Sequence, residues 1–355
     1  MTGTDAADAV LVVGDGFIPS AAYVDALAAL DRSARVRTVE WAGAKADHHA
    51  AQALMEVSGP DVVPIPPEIL EAMPRARALG LHFAPVARAL IEAAPDLGLI
   101  AVARTGLENI DVEAATERGI GVVQALGRNA SAVAELQLGL MIAEARNIAR
   151  ADASIRAGGW RKEFPGARIE IGGRTVGMIG FGHVGGHFAR RLSGFGATLL
   201  AYDPYTPPET LAASGVEAVE RLLDVFARSD FVVVQARLSP ETDRFIGAEH
   251  FAAMAPHAYF VNVSRSRLVD YDALYEALAA GRISGAALDV FDDEPLPTGS
   301  PWRTLDNVTM TTHFGGDTDD TNRTSAALVA AAIDEFLRTG KVPHAVNGDA
   351  LGWRT

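Results

Sequence analysis

Three polar residues stand where an α/β chain does chemistry. Arg265 follows the apolar run 259–263 (YFVNV), Glu294 follows 285–290 (GAALDV), and His313 follows 308–311 (VTMT). Each run reads as a buried strand, and open parallel sheets bind ligands beyond the carboxyl ends of their strands. A guanidinium forks onto a carboxylate or the carbonyl oxygen beside it. A histidine gives or takes a proton near neutral pH, and an acid beside it favours the imidazolium and fixes the ring. An arginine, an acid and a histidine at neighbouring strand ends therefore suit the reduction of a 2-keto acid and its reverse.

Such a reaction needs a hydride carrier, and the chain has a place for one. The stretch 175–203 reads TVGMIGFGHVGGHFARRLSGFGATLLAYD. Val176, Met178 and Ile179 form a short buried strand, and Gly180, Gly182 and Gly185 give G-x-G-x-x-G. A helix runs from Val184 to about Phe195, with Val184, Phe188 and Leu192 inward. A second strand, 199–202, ends in Asp203, 23 residues past Gly180. The glycines serve a tight turn, close approach of backbone to a pyrophosphate, and close helix–strand packing. The helix N-terminus offers N–H groups to the phosphates. Asp203 accepts the adenosine ribose hydroxyls and repels a 2′-phosphate, and no Arg or Lys occurs in Pro204-Tyr205-Thr206. NAD is the expected cofactor.

The elements that must position these residues alternate along the whole chain. Strands are expected at 9–13, 36–39, 61–65, 78–83, 97–103 and 119–123, with helices at 21–30, 86–93 and 112–118. That pattern predicts a parallel, flavodoxin-like lobe. Residues 129–157 read as one long helix, apolar on several faces and so buried or at a subunit contact, ended by Gly158-Gly159. An irregular segment, 160–171, leads into the glycine strand. After Asp203 come strands at 230–234, 259–263, 285–290 and 308–311, with helices such as 271–280 between them, then a last helix at 321–339 and a tail. The predicted fold is α/β with two Rossmann-like lobes. A doubly wound NAD-binding domain, 129–319, is inserted in a flavodoxin-like substrate domain, 1–128 with 320–355.

Bulk properties agree with this division. A length of 355 residues suits two domains, and 49% hydrophobic with 21% charged residues is a globular composition. A net charge of −14 argues against a nucleic-acid or anionic-membrane surface. The absence of cysteine excludes disulfides, thiolate metal sites and cysteine nucleophiles. The N-terminus lacks a basic segment followed by an apolar one, and no apolar run is long enough to span a membrane, so the cytoplasm is the default location. His48-His49 invites a metal reading, but adjacent residues rarely face one ion, and no metal is expected.

Several stretches together resemble the D-isomer-specific 2-hydroxyacid dehydrogenases: VNVSRSRLVD, ALDVFDDEPLP and TTHFGGDT, with GFGHVG…YDP, TGLENIDVEAATERGI and GRNASAVAE. The resemblance runs in register from about residue 60 to 345. It implies that Arg265 binds substrate, that His313 is the acid/base and that Glu294 is its partner. It implies substrate carboxylate binding by backbone groups of Arg104, Thr105 and Gly106. His183, Val184, Val263, Ser264, Asp289, His313, Gly315 and Gly316 would join the glycines and Asp203 in the NAD site. It also implies a first lobe completed by the C-terminal helix and a homodimer formed through the cofactor domain.

Departures mark where this chain is its own. Gln235 and Arg237 stand where the family more often has His and Pro, and Thr312 replaces a usual Pro. Gln235 can still hydrogen-bond a ligand. Arg237 and Arg104 motivate the expectation of a second negative charge on the substrate, a phosphate or carboxylate. About fifteen residues follow Gly340, which leaves no room for the regulatory domain of many 3-phosphoglycerate dehydrogenases and points to a short form. Two alternatives stand beside the dehydrogenase: a formate dehydrogenase, which carries Gln where this chain has Glu294, and an NADH-sensing corepressor without catalysis.

Overall fold

The computed structural model describes residues 9–30 and 35–353. Two compact units divide the chain: one takes it up to Arg128 and again from Thr318, the other is Asn129–Asp317.

The first unit is built on five parallel strands, β1 (Ala9–Gly14), β2 (Arg35–Glu40), β3 (Ala78–Leu81), β4 (Leu99–Val102) and β5 (Gly121–Gln124), in the order β2-β1-β3-β4-β5. Its central strands are apolar throughout because helices cover both faces. Alternate residues point to opposite sides. Val10 and Val12 meet Tyr23 and Leu27 of helix Ser20–Ala28 and Val329, Ile333 and Phe336 of helix Asp319–Thr339. Leu11 and Val13 meet Ile69, Leu90 and Ile91 on the other side. The Asp319–Thr339 helix begins at Thr318, whose hydroxyl accepts the Thr321 N–H at 3.0 Å, and stops at Gly340, φ +76°.

The second unit has seven parallel strands: β6 (Thr175–Ile179), β7 (Thr198–Tyr202), β8 (Glu217–Ala218), β9 (Phe231–Val234), β10 (Tyr259–Asn262), β11 (Gly285–Leu288) and β12 (Val308–Met310). Their order is β12-β11-β10-β9-β6-β7-β8. The chain winds outward from β6 to β8, then returns to the opposite side of β6 as β9. That reversal opens a crevice beyond the ends of β6 and β9. Again two cores form, one holding Val176, Met178, Val233 and Val261, the other Ile179, Val232, Val234 and Phe260.

The structure corrects some elements. The strand expected at 61–65 is a short 3-10 turn, Pro60–Val62, followed by extended chain with no ladder partner among the described residues. Pro60, Pro64, Pro66 and Pro67 deny it the donors a ladder needs. The long helix expected at 129–157 is two helices, Ala130–Ala145 and Ile148–Arg156, parted by Asn147 in the left-handed region at φ 56°. Helices Lys45–Ser58 and Pro67–Ala72 lie where the sequence pattern predicts none. No described helix is long and apolar enough to cross a membrane.

Candidate active site

The three glycines of the turn after β6 are not equivalent. Gly180 has φ +91°, and a Cβ there would come within 2.8 Å of Ala236 backbone. Gly185 lies against Phe181 and Gln235, which a Cβ would meet at 2.9 and 3.0 Å. At Gly182 a Cβ would meet no described atom within 4 Å, so packing does not demand glycine there. Gly182 opens helix His183–Leu192, and no side chain caps that end. Its first N–H groups therefore face outward, as a pyrophosphate requires.

Asp203 ends β7 and is locked in place. Its Oδ2 accepts the Phe181 N–H at 2.6 Å, and its Oδ1 accepts the N–H groups of Tyr205 and Thr206 at 2.8 and 3.1 Å. The carboxylate thus ties β7 to the glycine turn and keeps lone pairs for a diol. A cavity of about 830 Å3 lies here, lined by Gly180, Gly182, Asp203, Tyr205, Gln235 and Arg237 among others. These residues fit the adenosine half of a dinucleotide. Gln235 is partly committed: its Nε2 donates to Gln137 Oε1 at 2.9 Å, while its buried Oε1 has no partner among the described residues. Arg237, a substrate candidate on sequence grounds, opens into this cavity.

Arg265, Glu294 and His313 come together. All three line a smaller cavity of about 300 Å3, with Ser266, Val290, Phe291 and Asp292. His313 Nδ1 lies 2.7 Å from Glu294 Oε2, and Glu294 Oε1 accepts the Phe291 N–H at 2.9 Å. The acid is thus anchored by backbone on one oxygen and holds the ring with the other. The ring is left with Nε2 for a reacting atom. Arg265 donates from Nη1 to its neighbour's carbonyl, Ser264 O, at 2.7 Å.

His313 stands at φ 57°, a left-handed conformation that costs a non-glycine residue about 1 kcal/mol or more. Asp289 holds it there. This carboxylate, 1% exposed, accepts from Thr311 Oγ1 at 2.6 Å, from the Phe314 N–H at 3.2 Å and from the Gly315 N–H at 3.0 Å. Gly315 packs so closely that a Cβ would sit 3.1 Å from Asp289 Oδ2, and one at Gly316 would sit 2.5 Å from Asn129 Nδ2.

Two further residues hold Arg265. Asn262, fully buried at the end of β10, accepts the Ser264 N–H at 3.0 Å and donates to Arg265 O at 3.0 Å. Tyr271 donates to Val290 O at 2.6 Å and bridges to Asn262, so the ends of β10 and β11 are laced together. Burial drives the Tyr271 hydroxyl far above the ordinary phenol range, so it remains a donor. Ser264 donates to Val234 O at 2.7 Å, and Val263 and Val184 are apolar neighbours of the turn. His183 is exposed at the helix start.

Arg104, Thr105 and Gly106 belong to the first unit, just past β4. Arg104 faces Glu108 at 3.3 Å and Glu56 at 3.8 Å and lies over the Phe83 ring. The two adjacent histidines diverge. His48 turns in, its Nδ1 accepting the Gly16 N–H at 3.2 Å, while His49 meets Phe17 edge-on.

A doubly wound domain with a glycine turn, an acid at the end of the second strand and a histidine–acid pair has the elements of a nicotinamide-dependent type of site. Residues 138–315 match the family described as D-isomer specific 2-hydroxyacid dehydrogenase, NAD binding domain. The chain is 44% identical over 263 residues to a D-3-phosphoglycerate dehydrogenase of Methanocaldococcus jannaschii, covering 74% of this chain and 50% of that one. It is 39% identical to a hydroxypyruvate reductase of Thermotoga maritima, covering 72% and 83%. The solved structure of D-lactate dehydrogenase from Escherichia coli superposes with a TM-score of 0.66 at 25% identity, over 95% of this chain and 99% of that one. The chain belongs to the D-isomer specific 2-hydroxyacid dehydrogenase family, and its second unit carries that family's NAD-binding domain. It spans about half the length of the phosphoglycerate dehydrogenases it matches.

Proposed function

We propose that the protein transfers hydride reversibly between NAD and C2 of a D-2-hydroxy acid or 2-keto acid. One observation carries this reading: Arg265, Glu294 and His313 converge on one small cavity at the strand ends of an NAD-binding domain. When bound, NADH supplies the hydride. Gly180 and Gly182, the start of helix His183–Leu192 and Asp203 hold it. The Arg265 guanidinium pairs with the substrate carboxylate and polarises the C2 carbonyl. His313 Nε2 gives its proton to the C2 oxygen in reduction and takes it back in oxidation. Glu294 keeps the ring turned and supports its charge. Asn262, Tyr271 and Asp289 are positioning residues.

The test is loss of NADH absorbance with a panel of 2-keto acids. Turnover of a 2-keto acid supports the reading. Tight NADH binding with no turnover across the panel overturns it.

We also infer a homodimer through the second unit. Helix Ile148–Arg156 buries none of its residues, and Ile148, Ile155 and Trp160 are 52%, 56% and 75% exposed. Apolar groups so arranged mark a surface that a partner covers. Sedimentation should report a dimer, and Trp160→Asp with Ile155→Asp should give monomers.

A further inference from the structure

The cofactor cavity and the catalytic cavity lie in the same unit, and no described residue lines both. One short segment reaches from the first to the second. Thr242 and Phe245 line the large cavity. Between them stands Arg244, with φ 52°. Among the described non-glycine residues only Asn147, Arg244 and His313 have positive φ. Asn147 parts two helices, and His313 carries the acid/base. Residues with a side chain rarely adopt this conformation, and the surrounding structure must hold them there. At Arg244 the segment 267–270 does so. The Arg244 N–H donates to Arg267 O at 2.6 Å, the Ile246 N–H to Leu268 O at 3.2 Å, and the Asp270 N–H to Ile246 O at 2.8 Å. Ile246 and Val269 thereby form a parallel bridge. The left-handed residue leaves Phe245 on the cofactor cavity and turns the Arg244 guanidinium to the catalytic one, where its Nη2 lies 3.7 Å from Asp292 Oδ2.

Asp292 lines the catalytic cavity, yet the proposed chemistry leaves it without a role. It lies inside the turn 291–294, which the Phe291 N–H closes on Glu294 Oε1 at 2.9 Å, and Glu294 Oε2 holds His313 at 2.7 Å. A hold on Asp292 is therefore a hold on the group that orients the acid/base. Two more charges brace the pair. Arg267 donates from Nε and Nη2 to Asp243 at 3.2 and 2.6 Å, a forked bond that keeps the Asp243 carboxyl below the usual carboxylate range. Arg267 also acts on Asp292, and Arg244 on Asp243, so each base faces both acids. The four side chains are 35% to 61% exposed, and exposed ion pairs add little to stability. What such a network supplies is geometry. It fastens three segments: 242–246 walls the cofactor cavity, 265–268 carries Arg265, and 290–294 carries Glu294.

We propose that Arg244 and Asp292 are positioning residues that couple the two cavities: filling the adenosine end of the large cavity steadies segment 242–246, and the Arg244–Asp292 pair passes that hold to the turn bearing Glu294. The catalytic meaning of this coupling rests on the dehydrogenase reading above. The probe is AMP, which fits the adenosine end alone and cannot shield the catalytic turn directly, since the two cavities share no lining residue. Amide hydrogen exchange is followed in the segment 290–296, with and without AMP, on the wild-type protein, Arg244→Gln and Asp292→Asn, and AMP affinity is measured by calorimetry. In the wild type AMP should slow exchange of the Phe291 N–H by about three- to fivefold, the range an exposed ion pair supports. In either variant AMP should leave that exchange unchanged while still binding within about fivefold of its wild-type affinity, the limit that reciprocal coupling sets. With NADH and the best 2-keto acid, each variant should lose about three- to fivefold in kcat, and the double variant no more than either single one, whereas independent effects would multiply. Thermal midpoints should stay at the parent value. Equal slowing in the variants, no slowing in the wild type, failure of AMP to bind, or kcat losses that multiply overturns the inference and leaves the dehydrogenase reading intact. An AMP effect that is lost in both variants of a protein turning over no 2-keto acid keeps the coupling and removes the dehydrogenase reading.

Discussion

The molecule carries two carboxylate–histidine pairs, and they differ in nearly every physical respect. Glu294 and His313 are 36% and 43% exposed, and the acid grips the ring at 2.7 Å. Asp15 and His82 are 2% and 3% exposed, with a contact of 3.2 Å and three backbone N–H groups on the same carboxylate. The first pair stands in an open cavity where a proton can come and go. The second is fixed in protein, its histidine kept neutral by burial, and it can accept but not shuttle. One residue pairing thus stands open to solvent in one setting and sealed in the other.

Four measurements would break or sharpen that contrast. His313→Ala should lower kcat by roughly 10²- to 10⁴-fold with little change in thermal midpoint, since its ring is half exposed. A loss below tenfold would remove it as the acid/base. Asp15→Ala should do the reverse. It strands the N–H groups of Phe17, Ile18 and Phe83 and should cost about 3 kcal/mol in urea unfolding. A cost under about 1 kcal/mol would show that the buried pair is not structural. Glu294→Gln keeps a polar group beside the ring but loses its charge, and should reduce kcat by roughly tenfold, less than losing the ring itself. The smallest effect is on pH dependence. Folded His82 stays neutral where an unfolded imidazole takes a proton. Its contribution to stability is therefore complete above the unfolded value, about 6.5, and is lost as pH falls toward the lower folded value. The loss should be about 1.4 kcal/mol for each unit separating the two. His82→Asn should flatten that limb of the unfolding midpoint against pH.

Much of the fold and site is legible in the sequence because it depends on short-range pattern. Both parallel sheets emerge from apolar runs alternating with helices. Arg265, Glu294 and His313 declare themselves by standing just past the ends of three such runs. The features that escape a sequence reading are built from residues that hide their purpose. Helix Lys45–Ser58 turns His48, Gln52 and Met55 inward, so the buried face is largely polar and hydropathy gives no period to read. Asn147 breaks an otherwise helical pattern through backbone conformation alone. Asp15 meets His82 across 67 residues, a pairing no local window contains. The two arginines expected to read a second anion illustrate the same limit. Arg104 is bracketed by Glu56, remote in sequence, and Arg237, past β9, lines the same cavity as Asp203, past β7.

Gly182 has a consequence of a different kind. Gly180 and Gly185 are held to glycine by the protein's own atoms, so exchanging either damages the fold and the ligand site together. Among the described residues Gly182 touches nothing that a methyl group would displace, and its φ of −105° is open to any residue. Gly182→Ala should therefore melt like the parent yet gain little thermal stabilisation from added NADH. Natural selection at that position then acts through the ligand alone: a lineage released from its cofactor could drift there without penalty, and would record the loss of function in a protein that still folds.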